Sequence, residues 1–127
     1  MFKRISYRYP YGKTKALTMS YDDGTIHDRR LVEIFNRHGI KGTFHLNAGF
    51  LDGENKIKRE EIATLYEGHE VSCHTYTHPH VKSLPDMDLT QQILWDKEEL
   101  EKCCGYVVRG MSYPFGSSDS RSVEIFR

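Results

Sequence analysis

The chain has 127 residues, 38% of them hydrophobic and 12% aromatic, so it can bury one core and is not a disordered segment. Lys and Arg total 18, as do Asp and Glu, and the resulting formal net charge of zero argues against a nucleic-acid-binding protein. No apolar run reaches the roughly 20 residues of a membrane-spanning helix. The basic N-terminus is followed by no apolar stretch, so we expect no signal peptide and a cytoplasmic location, or an extracellular one after removal of a leader.

Strand and helix patterns alternate along the chain, with turn residues at each junction. Residues 1–14 contain Pro10 and Gly12 and predict an N-terminal arm or short edge strand ahead of a domain over 15–127. The strand patterns lie at 15–21, 42–47, 69–73 and 106–113. The helix patterns lie at 28–38, 59–67, 88–104 and after the N-cap cluster 117–120. This alternation is typical of βα units on a parallel sheet, and a complete (β/α) barrel of ~250 residues would be about twice as long.

The first predicted strand ends at two adjacent carboxylates, Asp22 and Asp23, followed by Gly24. Neighbouring side chains on an extended strand point to opposite faces, so these two acids can share a site only if the strand has just ended. Gly24 allows the backbone to turn there at little steric cost. Taken alone, the pair is explained better by a solvated Asp-Gly turn than by a functional site.

His74 and His78 lie in a loop predicted at 74–86. Their spacing would put both imidazoles on one face of a helix, but β-branched neighbours and a following proline favour a loop. Two imidazoles and one aspartate form a three-ligand set with open positions, which suits catalytic zinc or non-haem iron. Ordinary loop histidines, or a structural zinc site that also uses Cys73 and Cys103, are the alternatives.

Unusual residues lie at the ends of three predicted strands: Asp22 and Asp23 at the first, His74 and His78 at the third, and residues 109–116 at the fourth. In a parallel sheet with right-handed crossovers, all these strand ends lie at one edge of the sheet. The acids and the histidines are therefore expected to meet.

The segments SYDDG, HTYTH and SYPFG, in this order, resemble the first three motifs of the polysaccharide deacetylase family, the NodB-homology domain of carbohydrate esterase family 4. The resemblance extends from about residue 15 to the end of the chain. It implies an α/β fold whose parallel βα units form part of a distorted (β/α) barrel, about half to two-thirds of the full domain. It also implies metal-dependent hydrolysis of N- or O-linked acetyl groups on a carbohydrate. Zinc is the expected ion, with cobalt, nickel or iron as alternatives.

The resemblance assigns roles to individual residues. Asp22 would be the general base that acts on a metal-bound water. Asp23, His74 and His78 would bind the metal, and the backbone N–H of Phe115 would stabilise the oxyanion. The residues expected to contact the substrate are Tyr76, Tyr113, Pro114 and Asn47.

The sequence departs from the family pattern in two ways. The family arginine that hydrogen-bonds the base falls at Ser112, and Arg109 is the expected substitute, unless it is an ordinary arginine at a sheet end. The fourth and fifth family motifs, which supply the general acid, would lie beyond residue 127, unless His45, His69 or His80 takes that role.

Two alternative functions remain open from the sequence. One is a non-catalytic or incomplete deacetylase that binds metal or carbohydrate, or that associates with another chain, including a second copy, through exposed sheet edges. The other is an iron oxygenase with the same three ligands, which is disfavoured because these motifs contain no His-x-Asp pair.

Overall fold

A computed structural model describes residues 7–127. Within this range a parallel sheet has three strands in the order β1–β2–β3, namely Ser20–Asp22, Thr43–Leu46 and Glu70–Cys73. The α-helices of the same range are α1 to α4, namely Asp28–His38, Ile62–Leu65, Asp86–Cys104 and Ser120–Ile125. Because β1 pairs in parallel with β2 and β2 with β3, the carboxyl ends of all three strands lie at one edge of the sheet.

Helix α1 has the bounds that the sequence predicts. It ends because Gly39 adopts a left-handed conformation (φ 66°), and the N–H of Ile40 then bonds to the carbonyl of Phe35. Helix α3 begins at Asp86, two residues before the predicted start, directly after Pro85, and it ends at a left-handed Gly105 (φ 75°). Helix α4 begins within the predicted N-cap cluster, where the Asp119 carboxylate accepts a hydrogen bond from the Ser122 N–H at 2.8 Å.

The core is built around the central strand β2. Phe44 and Leu46 on β2 are fully buried, and the Phe44 ring packs against Tyr66 with ring centroids 4.7 Å apart. The Tyr66 hydroxyl donates a 2.6 Å hydrogen bond to the buried carboxylate of Asp28, so α1 and the segment after α2 are joined by a polar contact inside the core.

The predicted fourth strand at 106–113 is wrong, because the structure has a single parallel bridge there, between Cys73 and Met111. The reason lies in α3, whose side chains bind the backbone groups that a ladder would need. The N–H of Val108 donates to Glu101 Oε1 at 3.0 Å, and Lys97 Nζ donates to the Val108 carbonyl at 2.6 Å. The segment still runs alongside β3, in the place of a fourth strand.

Other predicted bounds were too long. The strand pattern at 15–21 forms a ladder only from Ser20. The helix at 59–67 is divided into a 3-10 turn, Arg59–Glu61, and the short helix α2. Part of the predicted N-terminal arm, residues 1–6, lies outside the described residues. Among residues 7–127, no helix combines the length and apolar character needed to cross a membrane.

Candidate metal and catalytic site

The two acids of the first motif are brought to one site by a turn at the end of β1. The strand stops at Asp22, and Asp23 and Gly24 both have left-handed backbones, with φ of 79° and 57°. The turn is held by the Asp23 N–H, which donates to the His45 carbonyl at 2.9 Å, and by Lys56 Nζ, which donates to the Asp23 carbonyl at 2.7 Å. Glycine suits position 24, since a Cβ there would lie 2.9 Å from the Leu46 side chain, which would have to shift.

Asp23, His74 and His78 converge, each with one ligand atom within 4.8 Å of the others. Asp23 Oδ1 lies 3.5 Å from His78 Nε2 and 3.8 Å from His74 Nε2, and the two Nε2 atoms are 3.1 Å apart. Two imidazole nitrogens and a carboxylate oxygen directed at one point form a donor set that suits zinc or a first-row transition metal. These three residues could therefore hold a metal ion.

His74 is held in the state that a metal needs. Its side chain is almost completely buried, and its Nδ1 lies 3.0 Å from the carbonyl oxygen of Ser112, which leaves Nε2 directed at the cluster. Burial lowers the pKa of His74. The neutral imidazole, which is the form that binds metals, is thereby favoured.

A buried carboxylate on α3, Asp96, orients this ligand segment. Its Oδ2 accepts from the His74 N–H at 2.9 Å and its Oδ1 from the Ala48 N–H at 2.7 Å. Burial raises the pKa of Asp96 to about 7, although its backbone hydrogen bonds lower it. Sequence reasoning missed this residue. The available signal was an acid at an apolar position of the helical pattern, with Leu89 and Leu100 on the same buried face.

Asn47 also holds the ligand segment and does not face the open site. It is 1% exposed, and its Nδ2 donates to the carbonyls of His74 (2.6 Å) and Thr75 (2.8 Å). This placement replaces the substrate contact expected at Asn47 with a supporting role. Pro114, another expected contact, is buried as well.

The aromatic residues expected to contact substrate are divided between two surfaces. Tyr76 packs edge-to-face on Trp95 of α3, with ring centroids 5.9 Å apart, and lines a cavity of about 350 Å³ with that side chain. Tyr113 stacks on Phe126 at 5.4 Å. Both tyrosines are half-buried, so part of each ring is available to a ligand.

Backbone strain is concentrated at the site. Seven non-glycine residues among 7–127 have positive φ, and four of them belong to the three motifs. They are Asp23 (79°), Thr75 (65°), His78 (55°) and Phe115 (58°). Such conformations are unfavourable for residues with a Cβ and cluster at functional sites, where the surrounding contacts maintain them.

The third motif places Phe115 beside the histidines. Its exposed ring stacks on His80 at 4.0 Å and meets His78 edge-on at 4.5 Å. In the described part of the chain, no backbone carbonyl accepts a hydrogen bond from the Phe115 N–H. That N–H is available to a ligand at the site.

Asp22 Oδ1 is contacted by two side chains, and Arg109 is not one of them. Ser112 Oγ donates to Asp22 Oδ1 at 3.0 Å, and His45 Nδ1 lies 3.0 Å from the same oxygen. Arg109 is exposed, lines a separate groove, and forms no hydrogen bond or ion pair with Asp22. The structure thus does not bring the expected substitute to the base.

The alternative zinc site with cysteines does not form. Among residues 7–127, the ligand group that converges within 4.8 Å contains no cysteine. Cys73 is buried, and burial raises the pKa of its thiol to about 12, so the thiolate that binds metals is disfavoured.

Comparison with known proteins places this site in a family context. The sequence profile of the polysaccharide deacetylase family matches residues 10–127. The peptidoglycan-N-acetylglucosamine deacetylase of Bacillus cereus is 30% identical over 111 residues, which are 84% of this chain and 38% of that protein. The chain thus spans about two-fifths of the length of that relative.

Two solved structures share the fold. The Streptococcus pyogenes deacetylase PplD, solved in complex with acetate, has a TM-score of 0.84 at 18% identity, over 89% of this chain and 52% of that chain. A pseudoenzyme of carbohydrate esterase family 4 from Bacillus anthracis has a TM-score of 0.70 at 26% identity, over 85% of this chain and 39% of that chain. These matches confirm the predicted α/β fold class.

Proposed function

Because the chain belongs to the polysaccharide deacetylase family, we propose that it takes part in hydrolysis of N- or O-linked acetyl groups on a carbohydrate. The observation that carries this proposal is the convergence of Asp23, His74 and His78, with Asp22 beside them. The similarity to a peptidoglycan-N-acetylglucosamine deacetylase supports an acetylated amino sugar as the substrate class.

Asp23, His74 and His78 would hold a divalent metal ion. Zinc suits two neutral imidazoles and one carboxylate best, and cobalt, nickel or iron would fit the same donors. When bound, the ion would supply Lewis-acid chemistry, lowering the pKa of a water ligand and polarising an acetyl carbonyl.

The remaining roles belong to groups of this chain. Asp22 would act as general base and remove a proton from the attacking water, since its Oδ2 is directed at the ligand cluster, 3.9 Å from His74 Nε2. The Phe115 N–H would donate a hydrogen bond to the oxyanion that develops at the acetyl carbonyl oxygen. The half-buried rings of Tyr76 and Tyr113 would contact the sugar.

Metal content and acetate release test the proposal. Asp23→Ala, His74→Ala and His78→Ala should abolish zinc binding, measured by elemental analysis after dialysis. Asp22→Asn should retain zinc and lose acetate release from an acetylated chito-oligosaccharide. His38→Ala, at an exposed histidine of α1, is the matched control and should change neither quantity. Zinc retained by the histidine variants of the site would contradict the ligand assignment.

The second candidate function is metal or carbohydrate binding without turnover. The similarity to a family pseudoenzyme favours it. Stoichiometric zinc without acetate release would support this alternative. This alternative also includes self-association through the sheet edge at β1. Within residues 7–127, β1 has no partner strand on its outer side, and light scattering would measure the association.

A further inference from the structure

Asp22 and His45 face each other because of the strand register. They are partners in the parallel pair β1–β2, so their side chains lie on the same face of the sheet. His45 is 7% exposed, and its Nδ1 is 3.0 Å from Asp22 Oδ1. A nearly buried imidazole is thus fixed beside the carboxylate that would act as base.

The neighbours of His45 determine which ring nitrogen carries the proton. Besides the Asp22 carboxylate, the carbonyl oxygen of Tyr21 lies 3.3 Å from Nδ1, and Ser20 Oγ lies 3.4 Å from it. Carboxylate and carbonyl oxygens accept hydrogen bonds whereas a hydroxyl can donate or accept, so these neighbours favour a proton on His45 Nδ1. His45 therefore donates to Asp22 Oδ1.

The same reasoning gives a direction to the contacts of Ser112. The Ser112 carbonyl lies 3.0 Å from His74 Nδ1, so that nitrogen also carries a proton. Ser112 Oγ, 2.6 Å from His74 Nδ1, accepts from it and directs its own proton to Asp22 Oδ1 at 3.0 Å. A guanidinium group has only donors, so an arginine at position 112 could not accept from His74.

We propose that His45 and Ser112 are positioning residues for Asp22. Their two donors hold Oδ1, so that Oδ2 stays directed at the ligand cluster, and the Ser112 hydroxyl couples the orientation of His74 to that of Asp22. Only the chemistry at Oδ2 rests on the proposed function; the hydrogen-bond arrangement itself does not.

The tautomers of the two histidines test the arrangement without any activity. Long-range ¹H–¹⁵N spectra of the labelled full chain should show both His45 and His74 protonated at Nδ1. The His45 signals are assigned by their loss in His45→Phe. Protonation of His45 at Nε2 alone would overturn the proposal.

Kinetics of the zinc-loaded chain test the consequence for catalysis. His45→Phe and Ser112→Ala should lower kcat for acetate release by about 10- to 100-fold. KM and zinc content should stay unchanged, because neither side chain is a metal ligand and the Ser112 carbonyl still accepts from His74 Nδ1 in Ser112→Ala. His45→Asn and Ser112→Thr, which keep a donor at the same place, should restore most of the activity. His38→Phe, the same change at an exposed histidine, is the control.

The outcomes separate this inference from the proposed function. Equal losses of kcat in the variants with and without a donor would overturn the inference, because altered packing would then explain both. An unchanged kcat in His45→Phe and Ser112→Ala would also overturn it. Absence of acetate release from the unmodified chain would defeat the proposed function, and the tautomer measurement would then decide this inference by itself.

Discussion

Replacement of Asp96 by Asn tests whether one buried carboxylate holds the segment proposed to bind the metal. The carboxylate accepts hydrogen bonds from the Ala48 and His74 N–H groups, at 2.7 and 2.9 Å, and its side chain is fully buried. Asparagine has nearly the same shape but only one acceptor oxygen. One of the two buried N–H groups would therefore face an amide NH₂ and lose its partner.

The cost follows from these two hydrogen bonds. A buried N–H without an acceptor costs about 1–3 kcal/mol, so Asp96→Asn should lower the free energy of unfolding by that amount. This is a large share of the ~5–15 kcal/mol that stabilises a typical domain. Because the His74 backbone is no longer held, zinc affinity should also fall, by about 10- to 100-fold.

Urea unfolding of the metal-free chain, followed by circular dichroism, measures the first effect, and competition with a chelating dye measures the second. Asp88→Asn, at an exposed acid of the same helix, is the control and should change stability by about 0.5 kcal/mol or less. If Asp96→Asn matches the unmodified chain in both measurements, the two hydrogen bonds do not hold the segment and the reasoning is refuted.

The pH dependence gives an independent check on Asp96. Burial raises the pKa of Asp96 from 3.8 to about 7. Between these values the native state keeps a proton that the unfolded chain has released, so the contribution of this group to stability falls as the pH rises. Asparagine does not titrate. The unfolding free energy of the unmodified chain minus that of Asp96→Asn should therefore fall from about pH 4 to pH 7, and a rise over this range would contradict the raised pKa.

Two further substitutions test the core and the ligand segment. Tyr66→Phe removes the hydroxyl that donates to the buried Asp28 carboxylate at 2.6 Å, and urea unfolding should show a loss of about 1–3 kcal/mol; an unchanged midpoint and slope would contradict this contact. Gly49→Ala would bring a Cβ to 2.5 Å from the Tyr76 carbonyl oxygen, so the backbone of this segment must move. The free energy of unfolding should fall by about 1–3 kcal/mol, and zinc should bind more weakly in the dye assay. An unchanged zinc affinity would show that this contact relaxes freely.

Local patterns predicted the elements whose ends depend on their own residues. Helix α1 was predicted to its last residue because Gly39 provides the left-handed cap within the same stretch of sequence. The fourth strand was predicted wrongly because the backbone groups of Val108 are taken by side chains of α3, and no pattern within 106–113 reveals that.

The candidate site divides in the same way. The motifs identified Asp22, Asp23, His74 and His78 from residue types and order, and their roles in binding and catalysis stay predictions. Their meeting at one edge followed from parallel topology, which the strand pairs confirm. The hydrogen-bond partner of Asp22 could not be predicted in this way. The sequence suggested Arg109, but the structure places Ser112, three residues further along the chain, against Asp22.

The sequence by itself determined the family and the α/β class, and it proposed the residues that would bind a metal, because these inferences depend on motif order and local periodicity. Only the tertiary structure decided what supports them. His45 reaches Asp22 through the register of β1 against β2, and Asp96 reaches the His74 backbone from a helix that follows it in the chain. Hydrogen bonds between residues far apart in sequence are set by how the elements pack, and packing is not encoded in any one segment.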